Sequence, residues 1–482
     1  MSEIDTAAKR DVLPVDADGI QDAAPQAPET NLDEDDRLKP AFVSAVLEAV
    51  EKGEPEAARA LVEPLHAADV ADLLELTPAE SRAALVEALG DLLSAEVLSE
   101  LNDYVRDDVV EAIPNEQIAE LASELDTDDA VAIIEDLDED DKQEVLEAME
   151  PEDRAAIESA LAYPEETAGR LMQRDLVAVP EHWTVGQTID FLRDTPDLTS
   201  DFWEIFVVDP GHKPVGTCQL SWVMRCPRDI AMTDVMKREQ TLIPVDMDQE
   251  EVALRFQKYA LISAAVVDEG GRLVGMITVD DIVHIIQEEA GEDILRLSGA
   301  GDGDINQPIL MTVRTRLFWL LVNLPTAMLA ATVVGLFDSE IARYAVLASL
   351  MGIVSGMGGN AGTQTLAVVV RAIATNQLTS SNTRRVIFRE FRIASANGIA
   401  LGLLVGIGSF LYWHNPTLAF VFGTAILTNN LVAGLAGVLV PVTLDRLNID
   451  PATSSAVFVT TCTDSLGFLS FLGLATLAGL GT

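Results

Sequence analysis

Asp464 is the residue whose type and position most directly indicate chemistry in this chain. It lies near the end of the sequence, in a segment that is otherwise apolar enough to form a membrane helix. A carboxylate at the centre of a bilayer costs about 2.5–3.5 kcal/mol on insertion scales, so such a residue normally faces a pore, a cation or a charged partner. No Lys or Arg lies well inside any apolar segment, and we therefore expect the counter-ion of Asp464 to be a mobile cation or a proton.

The neighbours of Asp464 have properties that suit an ion pathway. Hydroxyl side chains flank the carboxylate at Thr460, Thr461, Thr463 and Ser465. Gly467 has no side chain, which allows a backbone carbonyl or another helix to come close to it.

A second polar group interrupts another apolar segment. Glycines four positions apart are typical of close helix packing, and this segment has two such pairs, Gly352 with Gly356 and Gly358 with Gly362. Helix packing does not explain four polar side chains whose hydrogen bonds must be satisfied at bilayer depth. These are Asn360, Thr363, Gln364 and Thr365. A hydrated pathway accounts for them better.

Both polar groups lie in the carboxyl-terminal part of the chain, which has far fewer charged residues than the part before it. Of the 79 acidic and 31 basic residues, 73 and 22 lie before residue 308. The remaining segment contains five apolar stretches of about 20 residues or more, the length that spans a bilayer. They cover residues 317–337, 344–374, 393–413, 418–444 and 452–479.

Basic residues indicate the orientation of these spans. They cluster before the first span, between the second and third, and between the fourth and fifth, at Arg314, Arg316, Arg371, Arg384, Arg385, Arg389, Arg392 and Arg446. Connections rich in Arg and Lys are cytoplasmic by the positive-inside rule. The sequence therefore predicts a multi-pass protein of the cell (inner) membrane, with its amino terminus in the cytoplasm and its carboxyl terminus outside.

The acidic half of the chain excludes one class of partner and favours another. Nucleic-acid binding requires positive charge opposite the phosphates, so we expect no nucleic-acid partner. An acidic domain concentrates cations around itself. A solvated, solubilising surface is the alternative explanation of the same charge.

Three sequence patterns follow one another in the acidic half. Residues 1–36 are rich in Asp, Ala and Pro, and we expect a disordered tail there. Residues 37–165 contain short amphipathic helical patterns separated by capping signals such as Leu76-Thr77-Pro78-Ala79-Glu80, which predict a solenoid-like pile of helices. Residues 166–284 alternate between strand and helix patterns.

The strand and helix region contains a duplication. Residues 205–209 and 264–268 are each predicted to form a buried strand, followed by a turn and a second strand. The duplication resembles a tandem pair of CBS (cystathionine-β-synthase-type) domains, at 166–230 and 231–284. In the second copy, Gly275, Thr278 and Asp281 match the Gly-x-x-Thr-x-x-Asp pattern of that family. The resemblance implies that Thr278 and Asp281 hold the ribose of a nucleotide, and the first copy has no matching Asp.

An acidic amphipathic helix is predicted next, from residue 280 to about 297. Ile282, Val283, Ile285 and Ile286 supply its apolar side, and its acidic residues gather on the other side at Glu288, Glu289, Glu292 and Asp293. Like charges at helical spacing cost roughly a few tenths of a kcal/mol per pair, which a divalent cation would relieve. A solvated helix face is the alternative. We assign 285–307 to a connecting helix with its linker, and 308–482 to the membrane domain.

The order of all these features resembles the MgtE family of magnesium channels. The segments that carry the resemblance are Gly358-Gly359-Asn360-Ala361-Gly362-x-Gln364, Asn448-Ile449-Asp450-Pro451-Ala452 and Thr463-Asp464-x-x-Gly467. The resemblance implies a multidomain fold, in which an all-α bundle of five transmembrane helices per subunit follows a cytosolic α-helical domain and α/β tandem CBS domains. It also implies a homodimer whose pore lies on the two-fold axis, where two copies of Asp464 attract a divalent ion.

The same resemblance implies two kinds of Mg²⁺ site. The pore site comprises Asp464, Asn360, Thr461 and Gly467. The cytosolic sensor comprises Glu96, Asp128, Asp248, Glu250, Asp281, Glu289, Glu292, Asp293 and Asp450. Mg²⁺ bound there would hold the domains together, and repulsion between the carboxylates would release the gate when internal Mg²⁺ falls. The sequence departs from the family pattern at His284, Ala260 and Ala132, where carboxylates are expected.

Taken together, these features predict a Mg²⁺-selective channel gated by cytosolic Mg²⁺, with ATP as a candidate regulatory ligand. One alternative is a transporter of Co²⁺, Mn²⁺ or Zn²⁺, although spans without a His or Cys ligand pattern favour hard cations. Another is a nucleotide-sensing membrane signalling protein, which leaves Asp464 unexplained. The sequence has no catalytic triad, zinc motif or phosphate-binding loop, and we expect no enzymatic activity.

Overall fold

The computed structural model describes residues 31–195, 202–299 and 306–480 of the 482-residue chain. The chain divides into two compact units, Met1–Ala112 and Ile113–Thr482. Most of the predicted tail, residues 1–30, lies outside the described residues. Residues 33–37 form a turn in which the Asp33 carboxylate accepts hydrogen bonds from the backbone N–H groups of Asp35 and Arg37, at 2.9 and 3.0 Å.

The first unit is a pile of short helices. They are α1 (Pro40–Glu51), α2 (Pro55–Val62), α3 (Ala67–Leu76), α4 (Ala79–Leu89), α5 (Ala95–Ser99) and α6 (Asp103–Val110), with a 3₁₀ turn at Gly90–Leu92. Leu73, Leu85 and Leu98 are fully buried between them. The buried Arg82 is compensated by an ion pair with Asp108 and by a 3.3 Å hydrogen bond to the backbone carbonyl of Leu74, as a buried charge requires.

Four further short helices begin the second unit. They are α7 (Asn115–Ala122), α8 (Thr127–Glu135), α9 (Glu139–Ala148) and α10 (Pro151–Leu161). Each presents a buried apolar face, through Ile118, Ile134, Val145 and Ile157 respectively. The predicted series of short amphipathic helices is therefore confirmed, and the limits of the helical domain at 37 and 165 stay a prediction.

Two three-stranded sheets with the same topology follow. The first contains β1 (Ala178–Pro180), β2 (Glu204–Val208) and β3 (Pro214–Gln219), and the second contains β4 (Leu242–Pro244), β5 (Ser263–Val267) and β6 (Leu273–Thr278). In each, the first strand is parallel to the second and the second is antiparallel to the third. The helices of this region are α11 (Val185–Asp194), α12 (Leu220–Val223), α13 (Met232–Val235) and α14 (Gln249–Tyr259). The predicted duplication is confirmed, and the sequence reasoning missed the short strands β1 and β4.

The two sheets share part of their core. Phe206 of β2 packs in one cluster with Ala265 of β5 and Met276 of β6. Equivalent glycines also occupy equivalent places, because a Cβ at Gly216 or Gly275 would lie 2.7 or 2.6 Å from a methionine sulfur. The tandem copies are thus related in packing as well as in strand order.

Helix α15 (Val279–Ser298) runs from the second sheet to the membrane half. Ile282 and Ile285 are buried, whereas Val283 and Ile286 are 57 and 39% exposed, so the expected apolar side of four residues is narrower than predicted. The helix is continuous through the predicted domain boundary at 284/285. Leu297, near its end, packs with apolar residues of three membrane-domain helices.

The membrane half consists of long helices. They are α16 (Ile309–Gly335), α18 (Val346–Ala374), α19 (Thr383–Trp413), α20 (Pro416–Arg446) and α21 (Pro451–Leu477), with the short α17 (Asp338–Arg343) after α16. In the described residues, four helices are long and apolar enough to cross a membrane, namely α16, α19, α20 and most of α21. Helix α18 is 29 residues long and packs against α20 and α21, but its polar run lowers its mean hydropathy. Each of the five predicted spans coincides with one of these long helices.

Glycines set the distance between α19 and α20. A Cβ at Gly402 would lie 2.6 Å from the carbonyl oxygen of Gly423, and a Cβ at Gly423 would lie 2.7 Å from the carbonyl oxygen of Gly402. Two helix backbones therefore touch at this crossing, in the manner of small-residue membrane interfaces. The predicted pair Gly352 and Gly356 is different, because a Cβ at either residue meets no atom of the described chain within 4 Å.

The variant Gly402→Ala is expected to destabilise the bundle by about 1–3 kcal/mol, since the added methyl group forces two backbones apart. Thermal unfolding of the purified protein in detergent measures the effect. Gly408→Ala is the matched control, because it lies on the same helix and its Cβ would meet nothing within 4 Å. Equal losses in both variants would show that the crossing is not tightly packed.

Candidate functional site

Asp464 lies within the helix bundle and is bound by a serine of another helix. Its side chain projects from α21 and is half-buried. Its Oδ1 accepts a hydrogen bond from the Ser355 Oγ of α18 at 2.5 Å. An ionised carboxylate can accept about four hydrogen bonds, so this contact leaves most of its acceptor capacity available.

A fixed basic group does not neutralise Asp464. No Lys or Arg among the described residues lies within ion-pair distance of it, 4.0 Å. Two ion pairs near the membrane domain lie elsewhere: Arg389 contacts Glu390 at 2.9 Å, and Arg296 contacts Asp450 at 3.7 Å. The charge of Asp464 therefore remains available to a mobile cation.

Two of the hydroxyl groups beside Asp464 bond to their own helix, whereas the buried Ser465 Oγ has no hydrogen-bond partner among the described residues. Thr461 Oγ1 donates to the carbonyl of Val457 at 2.6 Å, and Thr463 Oγ1 donates to the carbonyl of Thr460 at 3.0 Å. Thr461 is half-buried, and its oxygen keeps its acceptor capacity. The predicted role of Thr461 as a pore ligand stays a prediction.

Gly467 allows the close approach that the sequence predicts, and the approaching group is Asn429 of α20. A Cβ at Gly467 would lie 2.7 Å from Asn429 Nδ2. Asn429 is 1% exposed and donates from Nδ2 to the carbonyl of Val354 on α18 at 2.7 Å. Sequence reasoning missed both Asn429 and Ser355. A polar residue inside an apolar span was the available signal for each of them.

Asn360 does not meet Asp464 within one chain. Five residues separate it from Ser355 on α18, which places the two side chains about 140° apart around the helix. Asn360, Thr363 and Gln364 are exposed on the surface of this chain. The structure therefore brings Ser355, rather than Asn360, to the carboxylate.

In the cytosolic part, Asp128 of α8 faces Asp281 of α15. Asp281 accepts a 2.8 Å hydrogen bond from the Thr278 hydroxyl. Burial, opposed by the Thr278 bond and reinforced by neighbouring Asp charges, raises the pKa of Asp281 to about 7. Burial, followed by the charge of Asp281, raises the pKa of Asp128 well above its usual range. Asp128 Oδ1 is buried and has no hydrogen-bond partner in the described residues, so this arrangement fits a bound cation.

A hydrogen bond to a carboxylate joins α14 to α15. Glu289 accepts a 2.7 Å hydrogen bond from Gln249 Nε2. Burial raises the pKa of Glu289, with the charges of Asp248 and Glu166 acting in the same direction. Asp248 itself accepts from the backbone N–H of Glu250 at 3.0 Å and so begins α14. These carboxylates are close enough to repel one another when ionised.

The last predicted sensor residues lie where α15 approaches α21. Arg296 contacts Glu292 and, at 3.7 Å, Asp450. Asp450 also caps α21, because it accepts from the backbone N–H of Ala452 at 2.7 Å. An arginine thus bridges two of the predicted ligands, which the sequence did not reveal.

Two other residues of the predicted sensor, Glu96 and Asp293, take no part in the contacts described above. Glu96 is exposed on α5 in the first unit, and the side chain of Asp293 lies outside the described residues. Over the described ranges, no three His, Cys, Asp or Glu side chains are grouped closely enough to hold a metal ion. Of the positions that depart from the family pattern, His284 is exposed and Ala260 ends α14 in the left-handed conformation, at φ 50°. The described residues therefore bring predicted sensor carboxylates together at most in pairs, and the sensor stays a prediction.

A cavity of about 440 Å³ lies beside β3 of the first sheet. Its lining includes Thr217, Gln219, Ser221, Trp222, Arg225 and Lys237. Two cationic side chains and an aromatic ring suit an anionic ligand that carries a flat base. The family resemblance implied nucleotide contacts at Thr278 and Asp281 of the second copy, and these stay a prediction. Asp281 also faces Asp128.

Comparison with known proteins places this chain among membrane cation transporters. Residues 351–474 match the model of a family described as divalent cation transporter, MgtE. Residues 65–166 match the MgtE intracellular N domain, and residues 232–288 match the CBS domain.

Individual relatives agree with these matches. The chain is 31% identical to the magnesium transporter MgtE of Bacillus subtilis over 73% of this chain and 78% of that protein. It is 32% identical to the magnesium transporter MgtE of Thermus thermophilus over 67% of this chain and 72% of that protein. A solved cytosolic domain of the Mg²⁺ channel MgtE in complex with ATP is 30% identical, covers 50% of this chain and 99% of that one, and has a TM-score of 0.46. The chain belongs to the MgtE family of divalent cation transporters.

Proposed function

We propose that this protein is a Mg²⁺-selective channel of the cell membrane, gated by Mg²⁺ on its cytosolic side. The observation that carries the proposal is the half-buried Asp464, bound by Ser355 at 2.5 Å and without a basic partner among the described residues. The relatives that share most of this chain are named magnesium transporters. The family is one of membrane transporters, and no catalytic reaction is part of the proposal.

The chemistry around Asp464 suits a hydrated Mg²⁺ ion. Mg²⁺ holds its octahedral water shell tightly and is commonly bound through one or two carboxylates with water still attached. A carboxylate beside hydroxyl and amide groups recognises such a shell by charge and by hydrogen bonds. His and Cys ligands, which favour Zn²⁺ and other transition metals, are absent from the described contacts of Asp464.

The pore requires a second copy of the chain in this proposal. Asn360, Thr363 and Gln364 are exposed on α18, and polar groups at bilayer depth need polar partners or water. A homodimer with α18 and α21 of both copies around one axis gives them that environment. Asp464, Asn360, Thr461 and the backbone near Gly467 then line one pathway.

Gating follows from the carboxylate pairs of the cytosolic part. Without a cation, Asp128 and Asp281 repel each other, as do Glu289 and Asp248. Bound Mg²⁺ removes the repulsion and stabilises the docked arrangement, which is the closed state. We assign Glu96, Glu250, Glu292, Asp293 and Asp450 to the same sensor. Since α15 reaches α21 through Arg296 and Leu297, a change in docking is transmitted to the pore helices.

We propose ATP as a regulatory ligand, and an amino terminus on the cytoplasmic side of the membrane. The cavity with Arg225 and Lys237 supports a phosphate-bearing ligand beside the first sheet, while Thr278 and Asp281 stay predicted contacts. The arginines at the end of α18 and in the first turns of α19 support a cytoplasmic amino terminus and an external carboxyl terminus.

Flux into liposomes tests the proposal against transport of other divalent ions. The purified full chain is reconstituted, and Mg²⁺ entry is followed with an internal dye, with Co²⁺ as competitor and with or without ATP. We expect Mg²⁺ entry that internal Mg²⁺ suppresses and that Co²⁺ weakly inhibits. Faster entry of Co²⁺, Mn²⁺ or Zn²⁺ than of Mg²⁺ would favour the other transporter, and no flux of any of them would favour a signalling role.

A further inference from the structure

Asn429 is a buried polar residue that no predicted site uses. It lies in the middle of α20 and is 1% exposed. Its Nδ2 donates across the helix interface to the carbonyl of Val354 on α18 at 2.7 Å. Its Oδ1 is buried and has no hydrogen-bond partner within the part of the chain that the structure describes. An unsatisfied buried acceptor is unfavourable, so apolar packing alone does not explain an asparagine here.

Two glycines on two different helices form the slot that holds this amide. A Cβ at Gly358 of α18 would lie 2.0 Å from Asn429 Nδ2 and 2.7 Å from its Cγ. A Cβ at Gly467 of α21 would lie 2.7 Å from Nδ2 and 2.9 Å from Oδ1. The three nearest atoms to each missing Cβ all belong to the Asn429 amide. The amide is therefore wedged between α18 and α21.

The slot lies at the level of the Asp464 contact. Val354, which accepts the amide hydrogen bond, immediately precedes Ser355, which donates to Asp464. Gly467 is three residues after Asp464, one turn further along the same face of α21. The amide thus contacts both helices within about one turn of the atoms that join them.

We infer that Asn429 is a positioning residue for ion selection, which sets the spacing and rotation of α18 and α21 so that Ser355 and Asp464 face the ion together. The inference rests on the proposed Mg²⁺ pathway. A hydrated ion is recognised by the separation of its oxygen ligands, so a shift of one pore helix by a fraction of an ångström relaxes discrimination between hydrated Mg²⁺ and Ca²⁺, whose water shell has a different size and geometry.

The test compares Asn429→Ala with the double variant Gly358→Ala/Asn429→Ala in the liposome assay. For Asn429→Ala, we expect the ratio of Mg²⁺ to Ca²⁺ entry to fall by about tenfold, the effect of losing one well-placed buried hydrogen bond. Gly358→Ala alone is expected to unfold at a lower temperature because its methyl group collides with the amide. The double variant removes that collision and is expected to recover thermal stability while its ion ratio stays low.

Asn430→Ala is the matched control. Asn430 is the next residue of α20, is 2% exposed, and donates at 2.9 Å to the carbonyl of Ile426 on its own helix. Its replacement is expected to leave the ion ratio unchanged. A double variant that recovers both stability and ion ratio would reduce Asn429 to a packing residue and overturn the inference, as would an unchanged ratio in Asn429→Ala. If the unmodified protein carries no Mg²⁺, the proposed function fails instead.

Discussion

Liposomes that contain the Asp464→Ala variant are expected to take up Mg²⁺ no faster than liposomes without protein. The substitution removes the carboxylate that attracts the ion within the bundle, and the Ser355 hydroxyl that bonds it at 2.5 Å is uncharged. Stability is expected to change in the opposite direction from flux. A carboxylate at bilayer depth costs about 2.5–3.5 kcal/mol, so its removal should leave the folded protein at least as stable.

Two further variants separate the charge of Asp464 from its hydrogen bond and from general effects of losing a carboxylate. Ser355→Ala keeps the charge and loses one hydrogen bond to it, so we expect Mg²⁺ flux to fall by about tenfold or more without disappearing. Asp338→Ala removes an exposed carboxylate of the same domain, outside the long helices, and is expected to conduct normally. Mg²⁺ flux near the unmodified level in Asp464→Ala would reject the pore assignment.

The second large effect is expected from Asp281→Asn, which should flatten the response of the channel to internal Mg²⁺. Asparagine removes the repulsion that opposes docking in the absence of the ion. It also removes a charged ligand that favours docking in its presence. We therefore expect the Mg²⁺ concentration for half-inhibition to rise by about 10- to 100-fold, as the loss of groups at a metal site generally produces. Flux at a series of internal Mg²⁺ concentrations measures it.

The control for this variant is Glu269→Gln, which removes an exposed carboxylate from the turn between β5 and β6 of the same domain. It is expected to keep the normal response. Protease protection of the cytosolic part gives a second readout, because docking should depend on Mg²⁺ in the control and much less in Asp281→Asn. An unchanged inhibition curve in Asp281→Asn would place sensing in other residues.

The raised pKa of Asp281, at about 7, predicts a pH dependence with a definite sign. When the domains separate, the carboxyl group returns toward its ordinary pKa of about 3.9. The docked state therefore binds more protons between about pH 4 and 7, and its stability without metal is greater at pH 6 than at pH 8. We expect lower Mg²⁺-free flux at pH 6 than at pH 8, and a smaller further decrease on adding Mg²⁺. The opposite order, or the same pH dependence in Asp281→Asn, would contradict this assignment.

Much of the architecture could be predicted because the relevant patterns are local. The apolar lengths indicated five long helices, and the structure contains them, with α18 distinguished by its polar run. The repeated strand and turn patterns indicated two equivalent sheets, which β2–β3 and β5–β6 form. The short β1 and β4 were missed because three residues carry too little periodicity to be recognised.

Contacts between helices were much less predictable from the sequence. The family resemblance implied that Asn360 and Asp464 share a pore, which stays a prediction, but nothing in the sequence indicated that α18 presents Ser355 to Asp464 within one chain. The acidic residues of α15 suggested a face neutralised by a divalent cation or by solvent, and the sequence did not indicate that Arg296 lies between Glu292 and Asp450. Such contacts depend on how each helix is rotated and shifted against its neighbours, which no local pattern specifies.

The sequence by itself determined that a carboxylate would lie within the membrane segment without a basic neighbour, because hydropathy and charge are properties of the residues themselves. It also determined the order of the domains and the acidic character of the cytosolic half. Only the tertiary structure decided which groups touch that carboxylate. It also decided that Asp128 and Asp281 meet across 153 positions of sequence. The same holds for the Asn429 amide of α20, which lies between α18 and α21. Side chains distant in sequence come together through packing, and packing is decided by the whole set of helices at once.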